Sequence, residues 1–230
     1  MDPYLSLLTR KYPTIKPPPR RDLEQYAIDV SGVYNRSRYI ASLVRGAGLV
    51  IGDDDLVTLF LAGDGFSLTL LEKDERVLDV IRGNLPDAAA VELLPTDLHS
   101  VYQGTWPKLD RSYDFFVTSP PYTPEGLKIF SAVGIQNLKV GGLGFIASPY
   151  DADEKADAVS HELMRFVLEN GCILERVTPA MTFEEGLGAY QIVVRKLRDT
   201  AAINWLRPLE GKMYEWEAFG QQDAYKHQSV

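Results

Sequence analysis

Short apolar runs alternate with helical segments from Leu49 to Val194, and this alternation constrains the fold more than any other feature of the chain. Strands that alternate with helices form a mostly parallel sheet with helices packed on its faces. We therefore predict an α/β fold with seven mostly parallel strands. The predicted strands are 49–51, 67–71, 91–94, 113–118, 144–147 (after a glycine turn at 141–142), 172–177 and 191–194. The predicted helices between them are 53–61, 75–82, 124–137 and 154–169.

The chain divides into three parts on this interpretation. Residues 1–45 form a leader, in which Lys11–Arg21 contains three consecutive prolines that favour an extended segment. A helix is predicted over Arg21–Arg45. Residues 46–200 carry the strand–helix alternation and are expected to form the catalytic domain. Residues 201–230 form a tail that mixes acidic and aromatic side chains without a clear period.

Charge and cysteine content exclude several classes of protein. The 24 basic and 32 acidic side chains give a formal net charge of −8, whereas nucleic-acid-binding surfaces are usually basic. The single cysteine excludes an internal disulfide framework, and the three histidines lack metal-ligand spacing, so no metal is expected. The chain shows neither an apolar run of 18 residues nor a secretory signal, which favours a cytoplasmic protein outside the membrane.

Acidic residues follow the predicted strands directly, at the edge where α/β folds bind their ligands. Gly52 precedes Asp53, Asp54 and Asp55 after the first strand, and Glu72 follows the second. A dinucleotide-binding fold places a glycine-rich loop here to approach pyrophosphate, whereas carboxylates would repel phosphate. The predicted ligand is a positively charged nucleoside without phosphates, namely S-adenosylmethionine or its decarboxylated form. Glu72 is placed to accept from the ribose hydroxyls, and one of the three aspartates can cap a helix.

Ser119-Pro120-Pro121-Tyr122, after the fourth strand, is the second chemical signal. Two prolines end a strand and fix the backbone, so a rigid carbonyl and the Ser119 hydroxyl can accept from an amine N–H. Tyr122 can stack on a flat base or cover an alkylammonium group, a contact worth about 0.5–2 kcal/mol. A plain Pro-Pro turn is the alternative.

Several motifs, in this order, resemble the branched-chain polyamine synthases, also called bis(aminopropyl)spermidine synthases. The resemblance covers roughly Leu49 to Glu185 and rests on Ile51–Leu56, Thr96–Leu98, Tyr113–Thr123, Glu125–Lys128 and Leu138–Gly142. It implies a Rossmann-like, class I methyltransferase-type fold. It also implies transfer of an aminopropyl group from decarboxylated S-adenosylmethionine, the co-substrate, to an amine of a polyamine or another small cation. A homodimer is compatible with it.

The resemblance and the strand-end argument together assign the site. A carboxylate of the Gly-Asp-Asp-Asp loop would take the amine proton; we favour Asp54, with Asp53 aligning a cationic group. The predicted catalytic residues are Asp53, Asp54 and Ser119. The predicted co-substrate-binding residues are Gly52, Asp53, Glu72, Lys73, Asp97 (toward the adenine amino group), Leu98 and Ser119. The predicted polyamine-binding residues are Asp54, Asp55, Pro120, Tyr122, Thr123, Glu125 and Glu184.

Two departures from the family and three rival functions accompany this assignment. The family usually has aspartate where this chain has Ser119, and the leader is shorter than the family's N-terminal winged-helix-like module. An S-adenosylmethionine-dependent methyltransferase or aminocarboxypropyltransferase acting on a small amine is the main alternative; the others are a DNA methyltransferase and a non-catalytic binder. An acidic loop with no nearby arginine favours the decarboxylated donor.

Overall fold

A seven-stranded sheet in the order β3-β2-β1-β4-β5-β7-β6 forms the centre of the computed structural model. The structure describes residues 3–26, 28–105, 107–110, 112–150, 154–182 and 188–199. The strands are β1 Ala47–Ile51, β2 Ser67–Glu72, β3 Val91–Pro95, β4 Tyr113–Thr118, β5 Leu138–Tyr150, β6 Cys172–Thr182 and β7 Gly188–Lys196. The helices are α1 Pro3–Ile15, α2 Val30–Leu43, α3 Val57–Gly63, α4 Glu75–Asn84, α5 Pro124–Asn137 and α6 Glu154–Glu169.

The pairing of the strands confirms the predicted α/β fold. β1 lies between β2 and β4, and the five strands from β3 to β5 run parallel to their neighbours. β7 runs antiparallel to both β5 and β6. Leu49 and Val50 of β1 are fully buried and belong to two different hydrophobic clusters, because successive side chains of a strand point to opposite faces. Helices cover both faces. Because β1, β2, β3 and β4 run parallel, their carboxyl ends lie along one edge.

The predicted glycine turn at Gly141–Gly142 is wrong, because both residues lie inside the long strand β5. The register between β4 and β5 shifts between Tyr113 and Phe115, and Gly141 has a φ of +87° next to this irregularity. A glycine accommodates such a bulge without the steric cost that a Cβ would bring. The strand therefore continues through a signal that usually marks a turn.

The leader differs most from its sequence prediction. α1 continues through Pro13 to Ile15, so the extended segment is restricted to the residues after α1. The predicted helix over Arg21–Arg45 is replaced by a 3₁₀ turn over Arg21–Leu23, which is followed by α2. Asp29 begins α2 by accepting a hydrogen bond of 2.7 Å from the Gly32 amide. Burial of apolar side chains overrides the proline signal in α1.

The leader packs on the sheet domain as part of one core. Leu5, Leu8 and Tyr12 of α1 are buried in the same cluster as the side chains of β1 and α3. The Tyr4 hydroxyl donates to the carbonyl of Asn84 at 2.9 Å, and the Tyr12 hydroxyl donates to that of Asp55 at 3.1 Å. No helix in the described part of the chain has the length and apolar character that crossing a membrane requires.

Candidate active site

A cleft of about 480 Å³, counted with its open mouth, lies at the carboxyl ends of β1, β2, β3 and β4. This is the edge at which open α/β sheets bind ligands. Its lining comes from the strand ends, from α5 and from the leader. The lining residues are Leu23, Glu24, Gln25, Gly52, Asp53, Asp54, Leu71, Glu72, Lys73, Thr96, Leu98, Ser119, Pro121 and Phe130.

Two left-handed residues bracket the acidic corner after β1. Gly52 has a φ of +67° and Leu56 a φ of +57°, so the three aspartates between them form a tight turn. A Cβ on Gly52 would stand 3.0 Å from the Phe130 ring, which is why glycine suits this position. Leu56 accepts the unfavourable backbone conformation while its side chain is fully buried in the core.

Asp53 caps α3. Its carboxylate accepts hydrogen bonds from the Val57 amide at 2.7 Å and the Thr58 amide at 3.1 Å, and its side chain is fully buried. Burial, and then the neighbouring charge of Asp55, raises the pKa of Asp53 well above its ordinary value. The capping role that the sequence leaves open for one of the three aspartates thus belongs to Asp53, which also lines the cleft.

Asp54 lies at the cleft wall, half-buried. Its Oδ2 accepts a hydrogen bond of 3.1 Å from the Tyr26 amide of the leader. Burial, and next the charge of Asp55, raises the pKa of Asp54 to about 7, although Lys16 and the Tyr26 amide act in the opposite direction. A carboxyl with this pKa can both hold and release a proton near neutral pH.

Asp55 is not among the described lining residues and pairs with Arg36 of α2. Arg36 Nη1 lies 2.6 Å from Asp55 Oδ2, and both side chains are almost completely buried. The same nitrogen donates to the Ser119 hydroxyl at 2.7 Å, and Nη2 donates to the Thr118 carbonyl at 2.9 Å. Nε donates to Gln191 on β7 at 3.0 Å. One guanidinium therefore connects the acidic corner, the end of β4 and the antiparallel part of the sheet.

Arg36 contradicts the prediction that no arginine lies near the acidic loop, and its part in the site was not predicted. A signal was present, since Arg36 shares the spacing of Val33, Ser37 and Ile40, which lie with it and Gly32 on the buried face of α2. A buried arginine needs a partner of opposite charge, and Asp55 in the acidic corner supplies one.

Glu72 accepts three backbone hydrogen bonds at the end of β2. Oε2 accepts from the Asp53 amide and Oε1 from the Lys73 and Asp74 amides, each at 2.7 Å. Burial raises the pKa of Glu72, and these amides partly oppose the shift. The side chain lines the cleft beside the acidic corner.

The end of β3 is held by an ion pair across the edge of the sheet. Lys73 Nζ lies 2.8 Å from Asp97 Oδ2, and the Asp97 carboxylate also accepts from the His99 amide at 2.9 Å. Partial burial opposes ionisation of Asp97, but Lys73 and the amide outweigh it, so the pKa is lowered. Leu98 is buried and lines the cleft, whereas Asp97 is not among the described lining residues.

The Ser-Pro-Pro-Tyr segment lines the cleft in part. Pro121 and Ser119 line it, whereas Pro120, Tyr122 and Thr123 are not among the described lining residues. The Tyr122 ring stacks on Tyr26 of the leader, with centroids 6.0 Å apart and planes at 18°. The Thr123 hydroxyl caps α5 by accepting from the Gly126 amide at 3.0 Å.

Two further predicted positions lie apart from this arrangement. Glu125, in the first turn of α5, is half-exposed and is not among the described lining residues. Glu184 and the tail 201–230 lie outside the described residues.

The leader contributes lining residues that the sequence does not indicate. Leu23, Glu24 and Gln25 face the cleft from the 3₁₀ turn and the residues after it. Gln25 Nε2 donates to Asp74 Oδ2 at 3.1 Å, which holds this part of the leader against the end of β2. A proline-rich segment followed by charged residues is typical of a surface linker, so its local sequence does not indicate that it belongs to a site.

The parallel sheet, with its antiparallel β7 and an acidic cleft at the strand ends, defines a Rossmann-like protein of the class I methyltransferase type. Solved methyltransferases support this, such as the glycopeptide N-methyltransferase MtfA (TM-score 0.54, 14% identity, 71% of this chain and 90% of that chain). The family model described as the branched-chain polyamine synthase A C-terminal domain matches residues 11–198. The chain belongs to this family, as its motifs predict.

Relatives of known structure and sequence agree with this membership. The C9 mutein of the branched-chain polyamine synthase from Thermus thermophilus, solved with N4-aminopropylspermidine and 5'-methylthioadenosine, superposes with a TM-score of 0.76 at 20% identity (92% of this chain, 68% of that chain). An N(4)-bis(aminopropyl)spermidine synthase from Methanocaldococcus jannaschii is 28% identical over 145 residues (59% of this chain, 41% of the relative). An uncharacterized protein of the same organism is 25% identical over 178 residues (73% and 44%). The chain spans less than half the length of these two curated relatives.

Proposed function

We propose that the protein is an aminopropyltransferase that moves an aminopropyl group from decarboxylated S-adenosylmethionine to an amine nitrogen of a polyamine. The observation that carries the proposal is the charge of the cleft. Its described lining holds four carboxyl side chains and a single cation, Lys73, which is paired with Asp97. Such a cleft attracts a cationic nucleoside and a polyamine and disfavours phosphates.

The decarboxylated donor fits the cleft better than intact S-adenosylmethionine. The methionine carboxylate of the intact donor would need a cationic partner. Arg36 is near, but its guanidinium donates to Asp55, Ser119, Thr118 and Gln191. An ammonium group without a carboxylate, in contrast, matches the acidic lining. The 5'-methylthioadenosine seen in the Thermus structure is the nucleoside that remains after aminopropyl transfer, which further supports this donor.

The reaction is an in-line displacement. The lone pair of the acceptor nitrogen forms a bond to the aminopropyl carbon attached to the sulfonium, and the carbon–sulfur bond breaks. Its electron pair returns to sulfur, which leaves neutral 5'-methylthioadenosine, and the alkylated nitrogen loses one proton. Because little chemistry is required of the protein, most of the rate acceleration comes from positioning and from supplying an unprotonated amine.

Asp54 is proposed as the group that receives the amine proton. An alkylammonium has a pKa of about 10.4, so an ordinary aspartate would be too weak a base by about six pKa units. The raised pKa of Asp54, about 7, reduces this difference to about three pKa units. The proton then passes to solvent through the mouth of the cleft. A bound cation lowers the pKa of Asp54, so desolvation of the amine must act with the carboxylate.

The other predicted residues have supporting roles in the proposal. Glu72, at the end of β2, would accept from the ribose hydroxyls in place of one of its backbone donors. The Ser119 hydroxyl already accepts a hydrogen bond from the Arg36 guanidinium, so any contact with the substrate would be made beside that cation. Ser119 therefore presents a neutral group where the family usually has aspartate. The part of the acceptor next to Ser119 is expected to differ in charge from the corresponding part of the family's usual acceptor.

Mass spectrometry of products tests the proposal. The chain would be incubated with decarboxylated or intact S-adenosylmethionine and with a panel of linear polyamines. A mass gain of one or two aminopropyl units from the decarboxylated donor alone is expected. A gain of a methyl or aminocarboxypropyl group from intact S-adenosylmethionine would replace the proposal with one of its rivals, and binding without any product would identify a non-catalytic binder.

A further inference from the structure

The segment Arg20–Tyr26 forms one wall of the cleft and is fixed to the strand ends at three points. Gln25 bonds to Asp74, the Tyr26 amide donates to Asp54, and the Tyr26 ring stacks on Tyr122. The segment also closes on itself, since the Arg20 amide donates to the Gln25 side chain at 2.9 Å. It is therefore a built part of the site and positions whatever side chain it directs into the cleft.

That side chain is Glu24. The residue is only 8% exposed and lines the cleft, and its Oε2 is buried without a hydrogen-bond partner among the described atoms. A buried carboxylate oxygen without a partner is unfavourable, and native structures rarely keep one without a reason. The contacts that fix the segment do not involve this oxygen.

The backbone at Glu24 adds a second cost. Its φ of 58° lies in the left-handed region, which disfavours residues that carry a Cβ. Glycine would adopt the same conformation freely. Glu24 therefore combines backbone strain with an unsatisfied carboxylate oxygen. Backbone strain of this kind is concentrated at functional sites.

We propose that Glu24 is a further substrate-binding residue, whose buried carboxylate accepts a hydrogen bond from a primary ammonium group of the substrate. The identity of the substrate rests on the proposed function. The ammonium group belongs either to the aminopropyl arm of the donor or to the polyamine, and both present the same chemistry. Burial raises the pKa of Glu24 to about 7 although Arg21 opposes this, so an arriving cation would restore its charge.

Binding measurements on Glu24→Gln test this inference in the full chain. The probes are decarboxylated S-adenosylmethionine, spermidine and uncharged 5'-methylthioadenosine, measured by isothermal titration calorimetry. The dissociation constant of one cationic probe should rise about tenfold or more, as loss of a charged hydrogen bond predicts, and that probe identifies the source of the ammonium group. Binding of 5'-methylthioadenosine should change less than about twofold.

Asp22→Asn is the matched control, because it removes a carboxylate two residues away whose side chain is 63% exposed. It should leave all three dissociation constants unchanged. Glu24→Gly is the second variant, because glycine relieves the left-handed backbone. It should weaken binding of the same cation while the melting temperature stays equal or rises.

The outcomes separate this inference from the proposed function. Unchanged binding of both cations by Glu24→Gln and Glu24→Gly would overturn it, and so would equal weakening of 5'-methylthioadenosine, which would indicate a structural role. A wild-type chain that binds neither cation would overturn it as well. A chain that binds the cations through Glu24 but transfers no aminopropyl group would support Glu24 and reject the proposed function.

Discussion

Arg36 Nη1 and Asp55 Oδ2 are 2.6 Å apart in a buried ion pair that joins the leader to the acidic corner of the cleft. The charge of Asp55 is thereby paired with Arg36, whereas the carboxylate of its neighbour Asp54 lines the cleft. The pair also explains why a helix outside the predicted catalytic domain matters to the site, because α2 supplies the cation that pairs with Asp55.

Breaking this pair is expected to destabilise the protein strongly. Arg36→Met leaves the Asp55 charge buried without its partner, which should cost about 3–5 kcal/mol of unfolding free energy in a urea titration. The double variant Arg36→Met/Asp55→Asn should recover part of the loss. Arg82→Ala removes an exposed ion pair with Asp79 and should change stability by less than about 1 kcal/mol. Equal effects of the buried and exposed substitutions would contradict this account.

Asp54→Asn is expected to lower turnover at least about a hundredfold without unfolding the chain, since general bases contribute about 10²–10⁴ in rate. The asparagine oxygen can still accept from the Tyr26 amide, so the wall of the cleft is kept. Product formation would be followed by mass spectrometry, and folding by circular dichroism. Asp79→Asn, on the exposed surface of α4, is the control. Turnover of Asp54→Asn close to that of the wild type would remove Asp54 from the mechanism.

The stability of the ligand-free protein should fall as the pH rises from 5.5 to 7.5. The pKa values of Asp54 and Glu24 rise from 3.8 and 4.5 to about 7 on folding, so the folded state binds more protons in this range. Their stabilising contribution is complete below about pH 4 and is lost as the pH rises through 7. We expect a loss of about 1–3 kcal/mol in urea titrations across this interval.

Variants of the same two residues provide the check on this pH dependence. Asp54→Asn and Glu24→Gln should each flatten the curve. Carboxylates with lowered pKa values, such as Asp97, lose their contribution only at more acidic pH and so do not mask the effect. A wild-type stability that stays constant or increases up to pH 7.5 would show that the two carboxyls ionise normally.

Gly52→Ala should destabilise the acidic corner by about 1–2 kcal/mol, because alanine resists a φ of +67° and its Cβ would meet Phe130 at 3.0 Å. Gly83→Ala is the matched control: it lies in α4 with open space around it and should stabilise the helix by about 0.5–1 kcal/mol. Urea titrations compare the two, and opposite signs are expected. A neutral Gly52→Ala would show that the corner relaxes easily.

Local patterns in the sequence predicted the parallel sheet and the edge at which several acidic side chains line a cleft. Apolar runs such as Leu49–Ile51 and Tyr113–Thr118 are buried strands because burial of a continuous apolar run is itself the driving force. The acidic residues after β1 and β2 were expected at one edge, and Asp53, Asp54 and Glu72 do line one cleft. Chain order and strand direction suffice for that prediction, because parallel strands end at the same edge.

Tertiary structure alone decided which partner each polar side chain has. Asp53, Asp54 and Asp55 are chemically identical and adjacent, yet the first caps α3, the second accepts from the Tyr26 amide and the third pairs with Arg36. Their partners come from residues 19 to 28 positions away or from the following helix, and sequence spacing does not encode such contacts. The position of Glu24 in the cleft lining also depends on tertiary structure. Its segment has the sequence of a linker and lies along the cleft because α1 and α2 pack against the sheet.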